Sequence, residues 1–258
     1  MVIDLNSDLG ESFGHWTLGH DAELMRSISS ANVACGYHAG DPVVMRDTVR
    51  MARDKGVAVG AHPGLPDLVG FGRRNMAVSA NEVENMVVYQ VGALAAIAGA
   101  EQVRLQHVKV HGALYNMAVK DRALADAIAA GVRAVDSSLA LFALPGTELV
   151  RAADAAGLRV VREGFADRAY EPDGSLTPRS RAGSVIHSPE EVIGRAIRMA
   201  RDGVVRATNG SDIAMQIDTL CTHGDTPGSH ELTRQLRAGL EAEGITVRAP
   251  GFPSAARA

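Results

Sequence analysis

The sequence predicts an α/β fold and, among α/β folds, a closed barrel of parallel strands wrapped by helices. Three observations predict it. Short apolar segments alternate with longer helical ones along the chain, the pattern of repeated βα units. Polar residues share one strand face: Asp4, Asn6 and Asp8 alternate with Ile3, Leu5 and Ser7, and Lys109 and His111 with Val108 and Val110. An open sheet covered by helices on both sides is apolar on both faces, whereas a barrel turns one face into a lumen. Third, histidine, glycine and acidic residues recur at the C-terminal ends of the strands, where α/β barrels carry their active sites. The length of 258 residues suits one such barrel over 1–248, with 249–258, which holds two prolines and no periodicity, as a loose tail.

The strands are expected at Val2–Ser7, Ala31–Cys35, Val57–Ala61, His107–His111, Leu139–Ala143, Leu158–Glu163 and Ile217–His223, each short and rich in Val, Ile, Leu or Ala. Helices fall between them. Asp41-Pro42 is an N-cap with proline at the first helical position, opening a helix to about Lys55. Ser79-Ala80-Asn81-Glu82 is a capping box for a long helix to about Gly99, and Ser188-Pro189-Glu190-Glu191 combines both signals. Weaker signals open helices at Asp121–Val135 and Thr147–Ala156, and Thr226-Pro227 starts one to about Glu243. Gly56, Gly157 and Gly244 sit where helix-ending glycines belong. Val204–Gln216, with Asn209-Gly210 at its centre, predicts a hairpin inserted before the last barrel strand. Ile245–Arg248 is either a closing strand or one outside the barrel.

Composition excludes several function classes. The net charge is -4, and only three of 26 basic residues are lysines, with no basic run; a nucleic-acid surface is not expected. The longest apolar run, Met86–Ala100, is interrupted by Gln90 and falls short of a membrane span. The start MVIDLNSDLG lacks the basic region of a secretory signal, and two cysteines, Cys35 and Cys221, are too few for a disulfide framework. A cytoplasmic location is therefore expected. There is no P-loop, no G-x-G-x-x-G after a strand, no G-x-S-x-G, no C-x-x-C and no H-E-x-x-H.

What remains is Asp, His and Lys chemistry. The strand ends read NSDLGE (6–11), CGYHAGD (35–41), GAHPG (60–64), KVHG (109–112), FADR (165–168) and CTHGD (221–225). A single histidine at a strand end is commonly structural, but four at one mouth converge. Asp41 serves as helix cap or as ligand. Lys109, mid-strand between valines, needs a partner, with Asp4 or Asp8 in reach; it forms a structural ion pair or binds substrate. Cys35 and Cys221 are small buried strand residues, and Arg73-Arg74 is a solvated pair or meets an anion. Such a set suits hydrolysis of an amide, with one group activating water and another protonating nitrogen. A divalent metal on Asp and His is equally compatible.

DLNSDLGES (4–12), NVACGYHAGDP (32–42), GAHPG and PDLVGFGRR (60–74), VKVHGALYN (108–116), FADRAY (165–170) and THGDTPG (222–228) resemble the LamB/YcsF family, whose better-described members are the A-subunits of bacterial ATP-dependent 5-oxoprolinase. The resemblance spans residues 2 to 248. It implies a distorted seven-stranded parallel β/α barrel, similar to glycoside hydrolase/deacetylase barrels, that cleaves 5-oxo-L-proline to L-glutamate with ATP hydrolysis. It implies partner subunits B and C, a small-molecule substrate and ATP with Mg²⁺ used together with those partners, and neither nucleic acid nor membrane. Functional positions carry over onto Asp8, His38, His62, Lys109, His111, Asp167, His223 and Asp225. Ser7 stands where relatives often have cysteine and Val110 where they often have proline. The expected catalytic set is Asp8, Lys109, His111, His223 and Asp225, with Asn6, His38, His62 and Asp167 binding substrate. No metal ligand is assigned; activity is expected to survive removal of transition metals. Lys109→Met is expected to leave the fold intact and lower turnover. The alternative function is a metal-dependent deacetylase of an acetylated sugar or amine.

Overall fold

Seven parallel strands close on themselves in the computed structural model, which describes residues 1–222 and 228–251. The chain runs β1 (Val2–Leu9), a one-turn α1 (Asp21–Leu24), β2 (Ser30–Ala34), α2 (Pro42–Lys55), β3 (Ala58–His62), α3 (Ala80–Ala100), β4 (His107–Val108), α4 (Gly112–Ala118) and α5 (Arg122–Val135). It continues through β5 (Ala140–Ala143), α6 (Glu148–Ala156), β6 (Arg159–Phe165), α7 (Pro189–Asp202), the antiparallel pair β7 (Val204–Arg206) and β8 (Asp212–Ala214), β9 (Thr219–Thr222), α8 (Ser229–Ala242) and β10 (Thr246–Val247).

The ring is β1-β2-β3-β4-β5-β6-β9, and β9 returns to β1 with Asp4 opposite Thr219 and Ser7 opposite Thr222. β10 pairs only with Val2 and Ile3 of β1 and lies outside the ring. The expected hairpin forms off the barrel, with Val205 opposite Ile213. The strand expected over His107–His111 is regular only to Val108. Its ladder nevertheless continues: the Lys109 N–H donates to the Ala61 carbonyl and the His111 N–H to the Pro63 carbonyl, at 3.0 and 2.8 Å.

Several helix signals act as their chemistry dictates, but Thr147 makes no capping bond to α6, and α8 begins at Ser229 after Gly228, the expected start at Thr226-Pro227 lying outside the described residues. Asp41 accepts from the N–H groups of Val43 and Val44, Ser79 and Glu82 close a reciprocal capping box, and Asp121 caps α5. Gly56 and Gly157 end α2 and α6 at φ 67° and 72°, a conformation that costs other residues about 1 kcal/mol or more. Among the described helices, α3 is long and apolar enough to cross a membrane. Its buried face, Val83, Val87, Val91 and Leu94, instead packs into the core, and the Gln90 amide bonds both the N–H and the carbonyl of Gly64. The helices α1 and α4 have no counterpart in the sequence reading; α4 starts directly after His111, inside what reads as strand and loop.

The lumen is layered. Ala140, Phe142 and Val161 form an apolar plug of their own. Next to it His107 stacks on Phe142, with ring centroids 4.0 Å apart, and reaches over β3 to bond Asn32 Oδ1 at 2.7 Å. Gly60 makes that reach feasible, since a Cβ there would lie 2.2 Å from the His107 ring. Asp4 is also interior: its carboxylate accepts from Ser29 and Thr219 at 2.6 Å and from Ser30 at 2.8 Å.

Burial pushes the Asp4 carboxyl up to about 6, against hydrogen bonds that pull it down. A raised acid pKa in the folded state means that the folded chain binds the proton more tightly than the unfolded chain. The resulting stabilisation is present below about pH 4 and is lost as pH rises to about 6, a change on the order of 3 kcal/mol. Asp4→Asn is therefore expected to match the parent near pH 4 and to exceed it in stability by up to that amount above pH 7. Urea denaturation of both proteins across that range checks this, and a difference that does not grow with pH counts against it.

Candidate active site

The inward residues of β1, β4, β6 and β9 meet around one ammonium group. Lys109 Nζ lies 2.9 Å from Asp8 Oδ1, 3.1 Å from Glu163 Oε1, 3.3 Å from Asn6 Oδ1 and 2.9 Å from Cys221 Sγ. Burial pushes the lysine down, but the carboxylates of Asp8 and Glu163 outweigh it and hold its pKa well above the usual value. Burial drives the Cys221 thiol up, so it stays a neutral acceptor rather than a nucleophile. Asn32 Nδ2 donates to both Asn6 Oδ1 and Asp8 Oδ1 at 2.8 Å, and Asn6 Nδ2 donates to Thr219. The buried Tyr115 hydroxyl donates to Glu163 Oε2 at 3.2 Å. Burial raises the phenol's pKa well above 10, so it keeps its proton.

Beside this network four more side chains converge. Glu11, His38, His62 and His111 are all buried, and their ligand-type atoms lie within 4.8 Å of one another. His62 Nε2 is 3.3 Å from Asp8 Oδ2 and 3.0 Å from His111 Nδ1. His38 stacks on His111 with centroids 3.7 Å apart and ring planes 2° from parallel, and its Nε2 faces Glu11 Oε1 at 3.3 Å. Burial, reinforced by the neighbouring imidazoles, lowers His38 well below 6.5 and His111 to about 3. Both rings are neutral at physiological pH. Gly72, at φ 60°, presses its backbone against these two rings; a Cβ there would lie 2.7 Å from His38 Cβ and 2.8 Å from His111 Cδ2.

A cavity of about 580 Å³ opens above both groups. Asp8, His62, Lys109 and His111 face it, with Phe165 and Tyr115 as apolar wall and Arg73, Arg168 and Arg179 as cationic wall. Arg168 also ties down the excursion after β6, donating to the Ser184 and Thr177 carbonyls at 3.1 and 2.7 Å. Burial lowers its guanidinium to about 10, which leaves it charged.

Of the residues singled out in the sequence, Asp8, Lys109, His111 and His62 come together on the cavity floor. Asn6 and His38 are fully buried behind that floor, and Asp167 is buried but is not among the lining residues. His223 and Asp225 lie outside the described residues. Lys109 pairs with Asp8, while Asp4 is taken up by hydroxyl groups. Ser7 points away from the lumen and donates to the Thr222 carbonyl at 2.8 Å. Glu163 and Glu11 are the residues the sequence reading missed. Glu163 stands two residues from both Val161 and Phe165, so strand alternation alone carries it inward; Glu11 follows the strand, after Gly10.

Comparison with known proteins adds to this geometry. Residues 3–254 match the LamB/YcsF family. A 5-oxoprolinase A-subunit from Methylococcus capsulatus is 56% identical over 250 residues, covering 97% of this chain and 96% of the relative. One from Pyrococcus furiosus is 55% identical over 247 residues, covering 96% and 97%. The crystal structure of a lactam utilization protein from Thermus thermophilus superposes with a TM-score of 0.93 at 52% identity, covering 97% of this chain and 100% of that one.

Proposed function

The chain belongs to the LamB/YcsF family, and we propose that it is the A-subunit of an ATP-dependent 5-oxoprolinase that opens 5-oxo-L-proline to L-glutamate. The observation that carries the chemistry is the cavity floor, where a carboxylate, a lysine ammonium and two imidazoles meet at 2.9–3.3 Å. That set offers a base, a cation for developing negative charge and proton carriers.

An unstrained lactam resists water because nitrogen donates into its carbonyl. Transfer of the ATP γ-phosphoryl group to the lactam oxygen removes that resistance. Water then adds to the ring carbon, with Asp8 taking its proton. The carbon–nitrogen bond breaks as the nitrogen is protonated, by the Asp8 carboxyl that has just taken water's proton or by His223 on the family pattern. The resulting acyl phosphate yields glutamate and phosphate with a second water. Lys109 stabilises charge on the former lactam oxygen or its phosphoryl group, and the arginine wall suits the substrate carboxylate and phosphate. His223 and Asp225 are further acid–base candidates on the family pattern, and Asn6, His38 and Asp167 support the site from behind. The chain carries no nucleotide-binding motif, so ATP with Mg²⁺ is handled with partner subunits B and C. The compartment proposed is the cytoplasm, in keeping with two free, buried cysteines.

The test is reconstitution. The chain alone is expected to form no glutamate from 5-oxoproline and to show no micromolar ATP binding in equilibrium dialysis. With B, C and ATP–Mg²⁺, glutamate and phosphate should appear in equal amounts. Undiminished glutamate formation when this chain is omitted overturns the proposal, as does release of acetate from an acetylated amino sugar by the chain alone.

A further inference from the structure

We propose that Glu11, His62 and His111 form a binding site for one divalent transition-metal ion at the edge of the cavity floor. Two backbone carbonyls fix which ring nitrogens carry hydrogen. The Lys109 carbonyl lies 2.6 Å from His62 Nδ1, and the Phe71 carbonyl lies 2.8 Å from His111 Nε2. A carbonyl only accepts, so each of those nitrogens carries the hydrogen. In each ring the other nitrogen is the one turned toward the cluster. Those two nitrogens, His62 Nε2 and His111 Nδ1, face each other at 3.0 Å. A single cation between them, a proton or a metal ion, serves both nitrogens. Metal-bound histidines have this same arrangement, with the far N–H fixed on a carbonyl or carboxylate.

The surrounding oxygens favour a metal ion over a shared proton, which serves only one pair of atoms. Glu11 Oε1 is 3.8 Å from His111 Nδ1, and Asp8 Oδ2 is 3.3 Å from His62 Nε2. Ligands about 2.0–2.2 Å from a tetrahedral ion stand about 3.3–3.6 Å apart, so the spacings of 3.0–3.8 Å bracket that figure. Two imidazoles and a carboxylate are the donor set of open zinc or iron(II) sites. Asp8 borders the fourth corner, on the cavity side. His38 is excluded as a ligand although it belongs to the cluster. An imidazole coordinates in its ring plane, and the His38 plane is stacked parallel to that of His111, so one ion cannot lie in both. His38 instead holds Glu11 through Nε2. This assignment departs from the expectation that no metal ligand is present.

The experiment needs neither substrate nor partners, so its outcome is independent of the 5-oxoprolinase reading. The full chain, stripped with chelator, is titrated with Co²⁺ while the visible d–d absorption and bound stoichiometry are recorded. One Co²⁺ per chain with a tetrahedral-type spectrum is expected, displaced by Zn²⁺. His62→Ala and His111→Ala should each weaken binding at least about 100-fold, and His38→Ala about 10–100-fold with the spectrum retained. If an alanine variant fails to melt cooperatively, Glu11→Gln, which preserves shape, replaces it in the comparison. A folded parent chain that leaves Co²⁺ with the spectrum of the free ion overturns the site. So does binding that is unchanged in the folded ligand variants.

Discussion

Replacing Lys109 by methionine is expected to cost both stability and activity. The ammonium is the partner of Glu163, a carboxylate with no exposed surface, as well as of Asp8. Breaking a buried pair by removing one partner costs about 3–5 kcal/mol, so the melting temperature should fall on the order of 10 °C. Turnover in the reconstituted enzyme should fall about 10²–10³-fold, as when an oxyanion donor is lost. The sequence alone predicts an intact fold for this variant; Glu163 reverses that half of the expectation. The double variant Lys109→Met/Glu163→Gln separates the two effects. It removes the stranded charge, so much of the stability should return while turnover stays low. A single variant with an unchanged melting curve refutes the ion-pair account, and a double variant with restored turnover refutes the catalytic one.

Asp8→Asn is expected to leave stability within about 1 kcal/mol and to lower turnover by about 10²–10⁴-fold, the usual contribution of a positioned base. The amide keeps an oxygen for Asn32 and Lys109, and Lys109 keeps Glu163. The group loses its charge and its proton-accepting capacity, while Glu163 still balances the ammonium. Initial rates of glutamate formation at saturating ATP give the answer. A rate within threefold of the parent would move the base to a residue other than Asp8.

The barrel was legible because strand alternation is local. Asp4, Asn6 and Asp8 announce an interior face within five residues, and that face demands a lumen. Lys109 and His111 repeat the message on another strand. Contacts between strands were not legible. Nothing near Cys221 in sequence suggests that its sulfur sits 2.9 Å from Lys109 Nζ; the contact exists only because β9 closes the ring beside β1. Glu163 is hidden because it stands at the end of a segment that reads as strand on its apolar residues. Glu11 is hidden by the turn at Gly10, which lies at φ 68° and takes the chain out of strand geometry. The helix α4 escapes notice because Val110 and His111 satisfy a strand pattern and the following residues carry no capping side chain.

The closure of the ring by β9 also orders events in time. β1 emerges first from the ribosome, yet its partner on one side lies more than 200 residues later: Asp4 meets Thr219 and Asn6 meets Cys221. Until then the polar face of β1 has neighbours on one flank only, and an open strand edge invites pairing with another nascent chain. Such distant pairing is slow to form. Lys109 and Asp8 belong to strands that are in place earlier, but Cys221 and Thr219 arrive only with the seam. Chains that stall before β9 pairs should therefore be recognisable as aggregating species with native-like helices and an open barrel, in which Lys109 lacks its Cys221 contact.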